Sequence, residues 1–278
     1  MTSVKIRMLI LHSCCALLDL FMTLLCCPVM MFPVIAGYPL GVASFIPTPV
    51  HFFFGVTLVG VLTYIISMFF ESRYCTLKGV TTFTWKRKLH YSLYGFFAFT
   101  YFIPAFNDIP DYDMAKVVIR EKLPCLSPDI PDKPEFFVLS FDPTRMCLAL
   151  LMALILALGQ QKYFIYKCIQ YFRSNSSMSR NTITLQKQFF IGFMVQVFVP
   201  LFVIAFPVIY MITAGFANYH NQTLNNLAFI TTGTHGAFAT IVMLCVHKPY
   251  RVAVRSLIPI NIKKVGSIWS ERSTRVLP

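Results

Sequence analysis

One acid in this chain lies in the middle of an apolar run: Asp19. It stands about eleven residues into the first long apolar stretch, and His235 stands about as far into the last one; at 1.5 Å of rise per residue both fall near the mid-depth of a bilayer. A carboxylate at that depth needs a partner. Two readings are open: a polar contact between Asp19 and His235, direct or through water, that switches with conformation, or a separate packing role for each. Two further groups fall where apolar runs end. Glu71-Ser72-Arg73-Tyr74 can hold an ion pair within its own helix that opens when a partner binds, or it can simply end a span. Lys248-Pro249-Tyr250-Arg251 places a proline where a helix should stop and turn along a surface. Enzyme chemistry has no foothold. There is no HExxH, GxSxG or glycine-rich phosphate loop, and nine cysteines supply no CxxC or Cys/His zinc spacing. No catalytic residue, metal or cofactor is expected.

The elements that must position these residues follow from composition. The 278 residues are 56% hydrophobic and only 13% charged, against about 25% charged in an average soluble domain. That excludes a water-soluble fold of this size and makes the lipid bilayer the solvent. Backbone polar groups in hydrocarbon must pair internally, so the spans are helices or a closed barrel. No stretch alternates as a barrel strand does. Six runs are long enough, at about 8–35, 48–70, 89–107, 146–161, 189–214 and 224–246, followed by a tail at 247–278. The expected fold is an all-α integral membrane bundle. Pro28 and Pro33 in the first run, Pro104 in the third, and Pro200 and Pro207 in the fifth are expected to kink their helices.

Charge gives the orientation. The formal net charge is +13, yet the bases gather in short clusters between apolar runs and no nucleic-acid motif accompanies them, so nucleic acid is not the expected partner. Lys5 and Arg7, the segments after the second and fourth runs, and the tail hold 19 of the 24 basic residues. The alternate segments 36–47 and 215–223 carry no charge, and 108–142 carries eight acids against four bases. By the positive-inside rule both termini face the cytoplasm and 108–142 lies outside. Asn221-Gln222-Thr223, in an outer segment, fits a glycosylation acceptor.

Taken in order, the motifs resemble the nematode serpentine chemoreceptors of class H, the Srh family. Leu18-Asp19-Leu20, Pro28, Pro33 and Ala36-Gly37-Tyr38-Pro39-Leu40-Gly41 look like that family's second helix and the loop after it. Phe70-Glu71-Ser72-Arg73-Tyr74 looks like the end of its third helix, and Leu123-Pro124-Cys125 like its long outer loop. Thr184-Leu185-Gln186-Lys187 with Gln196, Pro200 and Pro207 fits the sixth. Asn225-Asn226, His235-Gly236 and His247-Lys248-Pro249-Tyr250-Arg251 fit the seventh. The resemblance implies a bundle of the seven-transmembrane receptor type, of which this sequence carries six spans and lacks the first. It also implies a G-protein-coupled receptor for small odorants in the plasma or ciliary membrane of sensory neurons, partnered by a heterotrimeric G protein. Under that reading the ligand would lie between the outer halves of the spans. Depth and aromatic character make His51, Phe52, Phe53, Phe54, Phe206 and Tyr210 its candidates. Glu71, Arg73 and Tyr74, with Pro249, Tyr250 and Arg251, would face the G protein. The rival class is a transporter or channel component, which calls for more buried charge along a pathway and for internal repeats.

Overall fold

Long apolar runs in lipid are forced into helices because unpaired backbone groups cost too much, and helices dominate this chain. The structure, a computed structural model, describes residues 2–80, 84–123, 126–174, 179–246 and 248–257. Pro124 and Cys125 of the outer-loop motif, His247 and the tail beyond 257 lie outside those residues. In chain order the helices are α1 (Thr2–Leu20), α2 (Thr48–Leu77), α3 (Trp85–Thr100), α4 (Tyr112–Lys122), α5 (Thr144–Ser174), α6 (Arg180–Phe216), α7 (Gln222–Gly233), α8 (His235–Val246) and α9 (Lys248–Leu257). A π-helical turn, Phe21–Leu25, extends α1, and a 3-10 turn, Ile103–Asp108, follows α3. Among the described residues four helices are long and apolar enough to cross a bilayer, and α7 with α8, bent by 42°, makes a fifth if the pair is one span.

α1, α2, α5, α6 and α8 pack in a ring, each against the next, with α8 closing back on α1; α3 lies against α2. At Gly60 a methyl group would overlap Ala98 O, so α2 and α3 approach at backbone distance there. One apolar core joins α1, α2 and α6 around Leu18, Phe70 and Phe193, with the rings of Phe69 and Phe193 stacked at 4.2 Å.

Several boundaries differ from the sequence expectation, each for a definable reason. The first apolar run is not one helix to residue 35. The helix stops at Leu25, Cys27 takes φ +43°, and the chain enters β1 (Pro28–Met30) and β2 (Ile35–Pro39). Pro28 and Pro33 therefore do not kink a span. The residue before a proline is pushed out of the helical region, and Met31, Phe32, Val34 and Ile35 stay apolar because protein, not lipid, buries them. β1 pairs antiparallel with β2, and β2 with β3 (Phe137–Ser140), giving a three-stranded sheet in an otherwise helical fold. α4 packs on that sheet through Ala115 and Ile119. α3 ends at Thr100, before Pro104, and the 3-10 turn carries the chain on. α5 runs on to Ser174 and α6 begins at Arg180, both well past the charges that bound the apolar windows, because helical hydrogen bonding does not end where lipid does. Ser179 caps α6, its side chain accepting from Thr182 N. α6 continues through Pro200 and Pro207. The last run breaks at Thr234 between Gly233 and His235, a glycine-flanked break of the kind that sharp bends need. The bundle thus has a sheet end and a basic end.

Candidate ligand chamber

Beneath the sheet the helices part around a cavity of about 120 Å³. Met30 and Phe32 of the sheet strap roof it; Phe21, His51, Phe52 and Phe229 are among its walls. No Asp, Glu, Lys or Arg lines it among the described residues. The hydroxyls of Thr48, Thr232 and Tyr101 are committed as donors, to Glu135 O, Ala228 O (2.9 Å) and Val56 O (3.1 Å). His51, 5% exposed, has neither ring nitrogen hydrogen-bonded, and the Phe21 ring lies 6.1 Å from its own.

The sequence candidates divide here. His51 and Phe52 line the chamber. Phe53 and Phe54 do not: at 100° per residue four successive positions cannot share one face, and the lining set on α2 is His51, Phe52, Gly55, Val56 and Val59. Phe53 packs edge-on against Phe106 and Phe54 against Phe21, both partly exposed. Phe206 is 77% exposed and points off the bundle, because α6 presents Ile204, Val208 and Met211 inward. Tyr210 lies beside the chamber; its hydroxyl donates to Asn225 Oδ1 at 2.8 Å. Helical periodicity would have separated these positions in advance. Nothing in the sequence pointed to the sheet residues of the roof.

α7 holds that roof. Gln222 donates to Met30 O (3.0 Å), Asn225 donates to Phe32 O (3.3 Å), and His220 Nδ1 lies 2.6 Å from the same oxygen. Asn225 is fully buried, so Asn225→Leu leaves the Tyr210 hydroxyl only its long contact with Asn221 O and loosens the strap. The expected cost is about 1–3 kcal/mol, read as a lowered thermal midpoint in detergent. Asn221 caps α7, accepting from Leu224 N at 3.0 Å, while its amide nitrogen donates to Tyr219 Oη.

Below the chamber lies the intramembrane polar pair. His235 Nδ1 is 2.8 Å from Asp19 Oδ1 and 2.8 Å from Thr232 O. The Thr232 carbonyl can only accept, so Nδ1 carries a hydrogen. Gly236 N–H donates to the same carboxylate oxygen at 3.1 Å, and a side chain at Gly236 would overlap Asp19 Oδ2. The contact sits where two helices are irregular at once, at the π-turn after α1 and the bend between α7 and α8; π-turns inside helices frequently mark functional positions. A second cavity of about 50 Å³ lies alongside, bordered by His12, Thr63, Gln196 and His235. It shares Val59 and Ile204 with the chamber above. His12 Nε2 and Gln196 Nε2 are 2.8 Å apart across it, and His235 Nε2 is buried there without a partner.

At the basic end the expected pairing within Glu71-Ser72-Arg73-Tyr74 is replaced by another. Glu71 takes a two-pronged ion pair from Arg87 of α3 (2.7 and 2.9 Å) and hydrogen bonds from the Tyr91 hydroxyl and Cys75 Sγ. Arg73 points elsewhere, its guanidinium 3.9 Å from the centre of the Phe189 ring on α6. Two positions apart on α2, the side chains diverge by about 200° around the axis and meet different neighbours; which neighbours those are, spacing along one helix cannot reveal. Tyr74 meets Phe164 and Lys78. Pro249, Tyr250 and Arg251 fall in the first turn of α9, where proline is tolerated.

Comparison with known proteins agrees with this architecture. A family model described as "Serpentine type 7TM GPCR chemoreceptor Srh" matches residues 1–260. The chain is also similar to "Serpentine receptor class H-72" of Caenorhabditis elegans, with 26% identity over 234 residues, covering 81% of this chain and 67% of that one. No solved structure matches it.

Proposed function

This chain belongs to the Srh family of serpentine chemoreceptors, and from that premise we propose that it detects a small environmental molecule and reports it to a heterotrimeric G protein. It is a multi-pass membrane protein. We count six spans in it, taking α3 with its 3-10 extension as one and α7 with α8 as another. The charge pattern supports placing the sheet end outside and the basic end in the cytoplasm. Sensory-neuron plasma or ciliary membrane is the matching location.

The observation that carries this reading is the chamber roofed by the sheet, which no Asp, Glu, Lys or Arg lines among the described residues. Its chemistry suits a small, mostly apolar ligand. Thr232 joins the chamber to the polar pair: it lines the chamber, and its carbonyl meets His235 Nδ1. A ligand against α7 therefore changes the surroundings of the Asp19–His235 contact, and α8 carries the change toward the basic end. A ligand that binds one arrangement better shifts the population toward it. Glu71, Arg73 and Tyr74, with Pro249, Tyr250 and Arg251, are proposed to meet the G protein there.

The test sets two readouts side by side. Odorant panels applied to cells expressing the chain should evoke a second-messenger response that depends on chamber residues. Solute flux in proteoliposomes with no second-messenger response would instead favour a transporter or channel component.

A further inference from the structure

The geometry points to a defined ligand class for the chamber, a deepening that rests on the receptor reading above: neutral molecules of on the order of six heavy atoms, apolar except for one oxygen function, which hydrogen-bonds to His51. Size comes first. An engineered apolar cavity of about 150 Å³ holds benzene, and this chamber is about 120 Å³. Charge is excluded next. With no ionised side chain on the walls among the described residues, an ammonium or carboxylate would lose its hydration without compensation.

The polar function is fixed by what the walls have left to offer. The hydrogens of Thr48, Thr232 and Tyr101 are already donated to backbone carbonyls, Cys26 offers only a weakly donating thiol, and the half-buried Tyr38 has its ring against Lys133. His51 alone among these is buried with both ring nitrogens unsatisfied, and because neither nitrogen is accessible while its ring borders the chamber, a ligand reaches one by turning the imidazole. A neutral imidazole offers one N–H and one lone pair, so it can donate to a ketone, aldehyde or ester and accept from an alcohol. Leaving a buried group of this kind unpaired is costly, and a bound oxygen function relieves that cost. Pure hydrocarbons of the same shape, lipid chains included, fill the space and leave His51 orphaned.

The experiment uses the full chain in lipid nanodiscs and a panel of five or six heavy atoms: cyclopentane, cyclopentanol, cyclopentanone, cyclopentylammonium and cyclopropanecarboxylate. Binding is read by ligand-detected NMR and corrected for partitioning into empty nanodiscs. The alcohol and ketone should bind about tenfold more tightly than cyclopentane, and both ions more weakly than cyclopentane. His51→Phe should erase the preference, with its thermal midpoint in detergent as the folding control. His51→Asn, with a donor and an acceptor of its own, should retain it. The inference is overturned if either ion binds as well as the ketone, if the oxygen preference survives His51→Phe, or if no neutral probe binds. Its failure is separable from that of the receptor reading. His51-dependent binding of neutral probes without any second-messenger response removes the receptor and keeps the ligand class; a second-messenger response to an ion that His51→Phe does not alter does the opposite.

Discussion

Glu71→Gln is expected to lower stability by about 3 kcal/mol, and replacing Glu71 and Arg87 together by Leu is expected to restore most of the loss. Glu71 has a side chain only 7% exposed, and Arg87 lies against it with two hydrogen bonds. Removing the acid alone leaves a guanidinium, itself 17% exposed, without its counter-charge. That is much worse than having no charge at either position. Snorkelling of the arginine toward the headgroups moderates the penalty, which places the expectation at the lower end of the range for a broken buried pair. Thermal unfolding in detergent of Glu71→Leu, Arg87→Leu and the double Leu variant closes the cycle and gives the coupling directly. A coupling under about 0.5 kcal/mol would mean that the pair contributes no more than an exposed salt bridge. Arg73→Leu supplies the contrast: it removes a contact with the Phe189 ring worth about 1 kcal/mol and should show no coupling to Glu71.

Gly236→Ala is expected to damage the intramembrane contact from the opposite side. An added methyl would overlap Asp19 Oδ2 and lie 2.9 Å from its Cγ. The carboxylate would have to swing away from both His235 Nδ1 and the Gly236 amide. Strain and lost hydrogen bonds together should cost about 2–3 kcal/mol, read as a lower thermal midpoint and reduced surface delivery. Asp19→Asn separates geometry from charge, because its carbonyl can still accept from the imidazole and from Gly236 N–H; stability should change by less than about 1 kcal/mol. If the contact holds one signalling state, loosening it should raise ligand-free second-messenger output, by about tenfold in the state ratio for each 1.4 kcal/mol. His235→Leu with folding, surface delivery and signalling all unchanged would end the switch idea.

The amino-acid sequence by itself determined the solvent and the main chain path. A hydrophobic share this large with so little charge leaves no way to coat a soluble surface, and long apolar runs in lipid have only helices open to them. Equal depth of Asp19 and His235 was legible because it is a one-dimensional quantity along two helices, but whether they meet or pack separately was left open by the sequence; the structure puts them 2.8 Å apart. What only the tertiary structure decided are the properties that depend on direction around an axis or on contact between distant segments. Residues 28–36 read as more membrane helix, since burial under protein and burial in lipid select the same apolar side chains. Glu71 found Arg87 on the next helix rather than Arg73 two residues away. Of four consecutive aromatic candidates on α2, periodicity alone says that they cannot share a face, but packing decided that His51 and Phe52 face the chamber and Phe53 and Phe54 do not. Composition fixes how deep a residue lies in the membrane; packing fixes which way it faces, and recognition depends on facing.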